Sequence, residues 1–300
     1  MAKVPIHFIG FLANVDDSIK GLEMGDGFAV ERKSKDDVMP VLRKIEKYSG
    51  RRAGFDVSSR SYYCVVKTGV ARFEATPQGG VAFRPDVLDE AHKSVQDKCR
   101  LLRLFKEGNV VLIHSVLYHL GDADGEAKPF GFISEYPVLD ITPFTLTADE
   151  FPEAGSFLKA TVLPLSEQSI QLAFESFDLS YDVSDAGLAF LSLMIAMEVL
   201  LNPSKDELRY RVSRNTGVLL GQHRAGGEAV FKEMKGLYDK RSKLVHTGDR
   251  SLVSREDMLK LRQYVREGIK EAMRSGMSKD ALLSTLNVCG FGERPWRMKQ

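Results

Sequence analysis

The chain has 300 residues, 43% apolar and 28% charged, with 42 Lys and Arg against 41 Asp and Glu for a net charge of +1. That is about twice a typical domain, with enough apolar content for a core, so two domains are expected and bulk disorder is excluded. The summed charge argues against a uniformly basic nucleic-acid binder. The dispersed Cys64, Cys99 and Cys289, with no C-x-x-C pair, argue against a disulfide framework or thiolate metal site and fit a reducing cytoplasm.

The first half alternates short apolar runs with Gly and Pro. Ile6 to Ala13 is followed by Asn14, Val15, Asp16 and Asp17 rather than a small-residue cleavage site, so it reads as a buried strand and not a signal peptide. Gly25-Asp-Gly27 predicts a turn; no G-K-S/T follows, so it is not a phosphate loop. A helix is expected over Asp36 to Tyr48, with Pro40 in its first turn. Strands are expected at Ser61 to Lys67, Val110 to His119, Phe130 to Ile133, Ser156 to Leu163 and Ile170 to Phe177. Gln78-Gly-Gly80 predicts a turn, and Asp86 to Glu107 a long helix with a stripe of Val95, Cys99, Leu102 and Phe105.

From about Asp182 the strand signals stop. Ser184 to Leu201 predicts a helix closed by Asn202-Pro203, too short for a membrane span of roughly 20 residues. Ser204-Lys-Asp-Glu207 has the capping-box pattern and opens a helix to Leu220. A third helix runs from near Glu228 to His246, closed by Thr247-Gly248-Asp249. Ser254-Arg-Glu-Asp257 caps a fourth, to about Arg274, and Ser278 starts a short fifth. The expectation is therefore α+β: an N-terminal mixed strand-rich domain over 1–180 and a C-terminal all-α bundle of five helices over 181–300, with no membrane span and a cytoplasmic location.

Charge is unevenly placed. Residues 204–274 carry 17 Lys and Arg against 10 Asp and Glu, a net of +7, whereas 138–203 carry one Lys against 10 acids, a net of −9. The basic stretch contains Leu237-Tyr-Asp-Lys-Arg-Ser-Lys-Leu-Val-His246. Histidine exchanges protons near neutral pH, and arginine is a permanent forked cation suited to phosphate. Arg241 and His246 together suit metal-independent RNA cleavage: the imidazole handles the 2′-hydroxyl or leaving-group proton, and the guanidinium stabilises charge on the phosphorus oxygens. Lys240, Lys243, Arg250 and Arg214 are the candidate RNA-contacting cations. Positions i and i+5 lie about 140° apart around a helix, so the pair does not share a stripe.

The plainer readings make His246 a helix-terminal histidine on the last carbonyls and Arg241 an ion-pair partner of Asp239 or Glu198. Glu198 stands in an apolar stretch and needs a partner, with Arg209, Arg214 and Arg241 as candidates for a structural ion pair. Leu188, Leu191, Met194, Ile195, Met197, Val199 and Leu200 cover most of their helix, which makes it either the centre of a monomeric bundle or a dimer seam.

Other candidates carry less. His114 and His119 fall on opposite faces of one strand, and His92 has no nearby cluster. Asp122, Asp124 and Glu126 match half a calcium loop, without the closing glutamate. Tyr62, Tyr63 and Phe73 would stack bases if exposed and otherwise belong to the core. No metal or cofactor is expected.

The ordered segments Asp185 to Leu201, Glu207 to Gly221 and Leu237 to His246 resemble the HEPN superfamily, most closely its Apea-like branch, over about residues 182–274. The resemblance implies a helical bundle, homodimerisation, and an R-x(4–6)-H motif that in active members is a metal-independent endoribonuclease site at the dimer interface. Arg241 and His246 match that motif, and Ser242 stands where many active members have Asn, Asp or His. By analogy the protein is a toxin or phage-defence effector; the alternative is a non-catalytic HEPN RNA-binding or scaffolding protein.

Overall fold

The computed structural model describes residues 3–49, 61–74, 84–120, 127–135, 142–202 and 207–297. The chain divides into two compact units, Met1–Val162 and Leu163–Gln300. The division precedes the position near 180 suggested by the strand signals, because Ile170 to Phe177, read as a strand, is helical and belongs to the second unit.

The first unit is an antiparallel sheet with helices on both faces. Its strands are β1 (Lys3–Ala13), β2 (Glu23–Gly25), β3 (Phe28–Ser34), β4 (Ser61–Glu74), β5 (Val111–Leu120) and β6 (Ala127–Ser134), in the order β2-β3-β4-β1-β5-β6. β1 lies in the middle and is buried on both faces from Phe8 to Leu12, as its continuous apolar run requires. The β2–β3 turn has Gly25, Asp26 and Gly27 all at positive φ, so the Gly-Asp-Gly signal has a direct backbone cause.

The helix α1 (Lys35–Ser49) sets Val38, Val41 and Leu42 against Ile9, Phe11, Cys64 and Val116. Pro40 falls beyond the first turn, inside the helix. The helix α2 (Pro85–Phe105) covers the other face, where His92 meets Ser115, the strand neighbour of Val116. Its expected stripe is buried at Val95, Cys99 and Leu102.

The expected strand at Ser156 to Leu163 is instead the end of α3 (Glu150–Ala160). Ala154 and Leu158, four apart, are its buried residues, and Glu150 and Glu153 lie in its first turn where the helix dipole favours them. The expected strand at Ile170 to Phe177 lies in α4 (Gln168–Asp182). Ile170, Ala173, Phe174, Phe177 and Tyr181 form one buried stripe of helical period, which outweighs their strand propensity.

The second unit is a helical bundle. Besides α4 it contains the five helices expected after 181, α5 (Ala186–Leu201), α6 (Leu208–Leu220), α7 (Arg224–Thr247), α8 (Arg255–Ser275) and α9 (Lys279–Val288). α5 is the central helix, packed on α4, α6, α7, α8 and α9. Asp185 caps its start through the Leu188 N–H at 2.9 Å, and the Asn215 amide closes its end on the Leu201 carbonyl at 2.9 Å. Phe190, Leu193, Met194, Ala196, Met197, Leu200 and Leu201 are buried, but Leu188 and Ile195 are 51% and 49% exposed. The helix is thus not enclosed on every side: Leu188, Leu191, Ile195 and Val199 form a partly open stripe at helical spacing.

The Ser254/Asp257 capping box is formed, Ser278 caps α9, and Gly248 and Gly276 close α7 and α8 in the left-handed conformation. The expected box runs over Ser204 to Glu207. Ser204 lies outside the described residues, and Glu207 is itself the N-cap of α6, with φ 54° and ψ 31°. α6 and α7 approach closely through glycines: a Cβ on Gly227 would sit 2.9 Å from the Gly217 carbonyl oxygen and 2.7 Å from Phe291 Cβ.

Candidate functional site

Arg241 and His246 both lie on α7, near its C-terminal end. Arg241 turns inward. Its guanidinium is 3.4 Å from Glu198 Oε1 on α5 and stands 5.6 Å from the Tyr238 ring centroid. The Tyr238 hydroxyl donates to the same Glu198 oxygen at 2.7 Å. Burial and that carboxylate push the Tyr238 phenol well above its ordinary range, so it stays a hydrogen-bond donor. Glu198 thereby has two partners in a half-buried setting, and of the three arginines available from sequence it takes Arg241. Tyr238 was not singled out from sequence, although its i, i+3 relation to Arg241 was a usable signal, since residues at that spacing share a helix face.

His246 occupies the final turn and is exposed. The pair is therefore split as the helical angle requires, with the cation anchored inside and the imidazole outside.

The surrounding cations are mostly engaged. Lys240 contacts Asp257 at 2.5 Å, and Arg250 pairs with Asp185. These pairs tie α7 and the turn after it to the capping residues of α8 and α5. Lys240 and Arg250 remain 41% and 65% exposed, so a phosphate can compete for them. Lys243 is exposed. Arg214 does not belong with them: it donates to the carbonyls of Leu286 at 2.8 Å and Cys289 at 2.9 Å, closing the end of α9 as a C-terminal cation. Arg209 pairs with Asp239 at 2.6 Å.

The α7 end also borders the open stripe of α5. A Cβ on Gly187 would lie 3.7 Å from Leu244 and 3.5 Å from Arg250. Leu188, the next residue, and Val245, next to His246, are both about half exposed, at 51% and 50%.

The other sequence candidates separate. His114 is buried against Ser134 at 2.8 Å, and His119 is near Phe130. His92 bridges Ser115 at 2.9 Å and Glu135 at 3.1 Å. Tyr62 and Phe73 are core residues, which removes them as base-stacking surfaces. Gln78 to Gly80 and Asp122, Asp124 and Glu126 lie outside the described residues. Among the described residues no cluster of His, Cys, Asp and Glu is gathered for a metal, and no helix is long and apolar enough to cross a membrane.

No family model, curated protein or solved structure matches the chain.

Proposed function

We propose that the chain is a metal-independent endoribonuclease of the HEPN type, acting as a homodimer through its helical bundle. The observation that carries this reading is the division of labour on α7: Arg241 is fixed by Glu198 and Tyr238, and His246 is exposed beyond it. A guanidinium held by a carboxylate and a ring loses less freedom on meeting a phosphate than a mobile one.

In the proposed reaction the ribose 2′-oxygen attacks the adjacent phosphorus and the bond to the 5′-oxygen breaks. His246 accepts the 2′-hydroxyl proton or supplies the proton that the 5′-oxygen takes. Arg241 stabilises the negative charge on the non-bridging oxygens. Dimerisation brings a second copy of the pair, so one imidazole acts as base and the other as acid. The open α5 stripe of Leu188, Leu191, Ile195 and Val199 supports that assembly, because it continues toward the α7 end that carries His246. Lys240, Lys243 and Arg250 would contact the RNA backbone. A defence or toxin role follows the same analogy, with a cytoplasmic location.

One observation favours the second reading, a non-catalytic RNA-binding or scaffolding module: Arg241, Lys240 and Arg250 all have carboxylate partners within the bundle. The two readings separate when purified full-length protein is incubated with mixed RNA in EDTA beside His246→Ala. Cleavage that disappears in the variant, with RNA binding and circular dichroism retained, supports the enzyme. Equal cleavage by both, or binding with no cleavage by either, supports the module instead.

A further inference from the structure

The segment Cys289 to Arg297 folds back on the bundle, with Arg294 reaching the Leu220 carbonyl, and borders an open cleft. Phe291 packs on Phe231 in a tilted pair with centroids 5.8 Å apart, and Trp296 is buried. The cleft has a volume of about 770 Å³ and is lined by Gln222, Cys289, Gly292, Glu293, Arg294, Pro295 and Arg297. That lies in the range of small-molecule sites, about 300–1,000 Å³, and well above the need of a lone ion.

Charges of both signs surround the cleft, with Glu271, Glu267 and Glu293 among the arginines. Arg274, Arg297 and Arg294 gather near Glu271, which is buried and engaged by both Arg274 and Arg297. Arg294 donates to the backbone carbonyl of Leu220, a neutral partner, and its Nε is buried with no hydrogen-bond partner among the described residues. Burial and the neighbouring Arg297 lower the Arg294 guanidinium from its ordinary range, as expected for a cation among cations. The Glu293 carboxylate, also on the lining, accepts from the Gly290 N–H at 2.6 Å.

We propose that this cleft binds a small phosphate-bearing molecule, with Arg294 and Arg297 facing its phosphoryl group and the Gln222 amide and Gly292 backbone meeting the remainder. Arginine is suited to phosphate oxygens, and Arg294 is the lining cation with no carboxylate partner among the described residues, whereas Arg297 is held by Glu271. The site is built from residues other than Arg241 and His246, so it stands whether or not the chain cleaves RNA.

The test is calorimetric titration of the full chain with inorganic phosphate and, separately, ribose 5-phosphate, each against chloride at matched ionic strength. Saturable binding at millimolar concentration or below is expected for at least one probe. Arg294→Gln weakens it at least tenfold, and Glu293→Gln, which removes the lining's negative charge, tightens it. Tighter binding of ribose 5-phosphate identifies an organic ester as the occupant; equal binding of both identifies the phosphoryl group alone. No saturable heat from either probe overturns the proposal, as does unchanged affinity in Arg294→Gln. If Arg294→Gln does not fold, unchanged affinity in Glu293→Gln overturns it.

Discussion

Replacing Glu198 by Gln tests the anchor of the candidate site while keeping its shape. The Tyr238 hydroxyl lies 2.7 Å from the carboxylate, and a hydrogen bond to a charged acceptor contributes about 1.5–3 kcal/mol. Arg241 is 3.4 Å away with the two side chains 29% and 21% exposed, so solvent screening limits that pair to about 0.5 kcal/mol. Glutamine still accepts a neutral hydrogen bond, worth about 1 kcal/mol, so the expected net loss is about 1–2.5 kcal/mol. Tyr238→Phe removes the same bond from the other side at a similar cost. The two losses overlap, so the double variant is destabilised by about 1 kcal/mol less than the sum of the singles. Urea unfolding followed by circular dichroism measures all four proteins under one condition. Additive losses, with coupling below about 0.3 kcal/mol, would refute the shared bond and with it the claim that Arg241 is held in place.

Four further outcomes are expected. Leu193, fully buried on the central helix α5, costs about 2–5 kcal/mol when cut to Ala, measured by the same unfolding transition. Gly227→Ala drives a methyl into the Gly217 carbonyl and Phe291, so the melting temperature falls by more than helix propensity alone would raise it. The His7 ring nitrogens are buried without hydrogen-bond partners among the described residues, and burial lowers its pKa below the ordinary value of 6.5. The unfolded chain therefore binds this proton more readily, so the stability associated with neutral His7 is present above that ordinary value and is lost as pH falls from it through the lowered folded value. Melting temperature against pH should show that fall, and His7→Phe should flatten it. At Glu271 burial opposes ionisation, but Arg297 and Arg274 outweigh it and hold the carboxyl below its ordinary range. Its stability is present above the ordinary glutamate pKa and is lost as pH falls through the lowered one, so Glu271→Gln lowers the melting temperature at neutral pH and narrows the gap to wild type in acid.

Legibility in the sequence followed the kind of signal. Elements marked by local chemistry were readable: the Ser254/Asp257 cap, the Ser278 cap, the Gly248 stop and the Gly-Asp-Gly turn all act within a few residues. β1, β4 and β5 were readable because β-branched runs fit a sheet. The regions of α3 and α4 were misread because short apolar runs do not distinguish a buried strand from a buried helix. The spacing of Ile170, Ala173, Phe174 and Phe177 held the correct answer. Sheet order is set by contacts far apart in sequence and left no local trace. At the candidate site the residue types were readable but not their pairing. Glu198 had three arginines in prospect, and only the packing of α5 on α7 gives it Arg241 and Tyr238 while sending Arg214 to the end of α9.

The central claim is tested most directly by the ends of the RNA that the protein produces. Full-length protein and His246→Ala are incubated with a defined RNA in EDTA, and the products are analysed by mass spectrometry. Attack by the 2′-oxygen predicts 2′,3′-cyclic phosphate and 5′-hydroxyl ends from the wild type and intact RNA with the variant. Products ending in 3′-hydroxyl and 5′-phosphate, the same products from His246→Ala, or intact RNA with both proteins would contradict it.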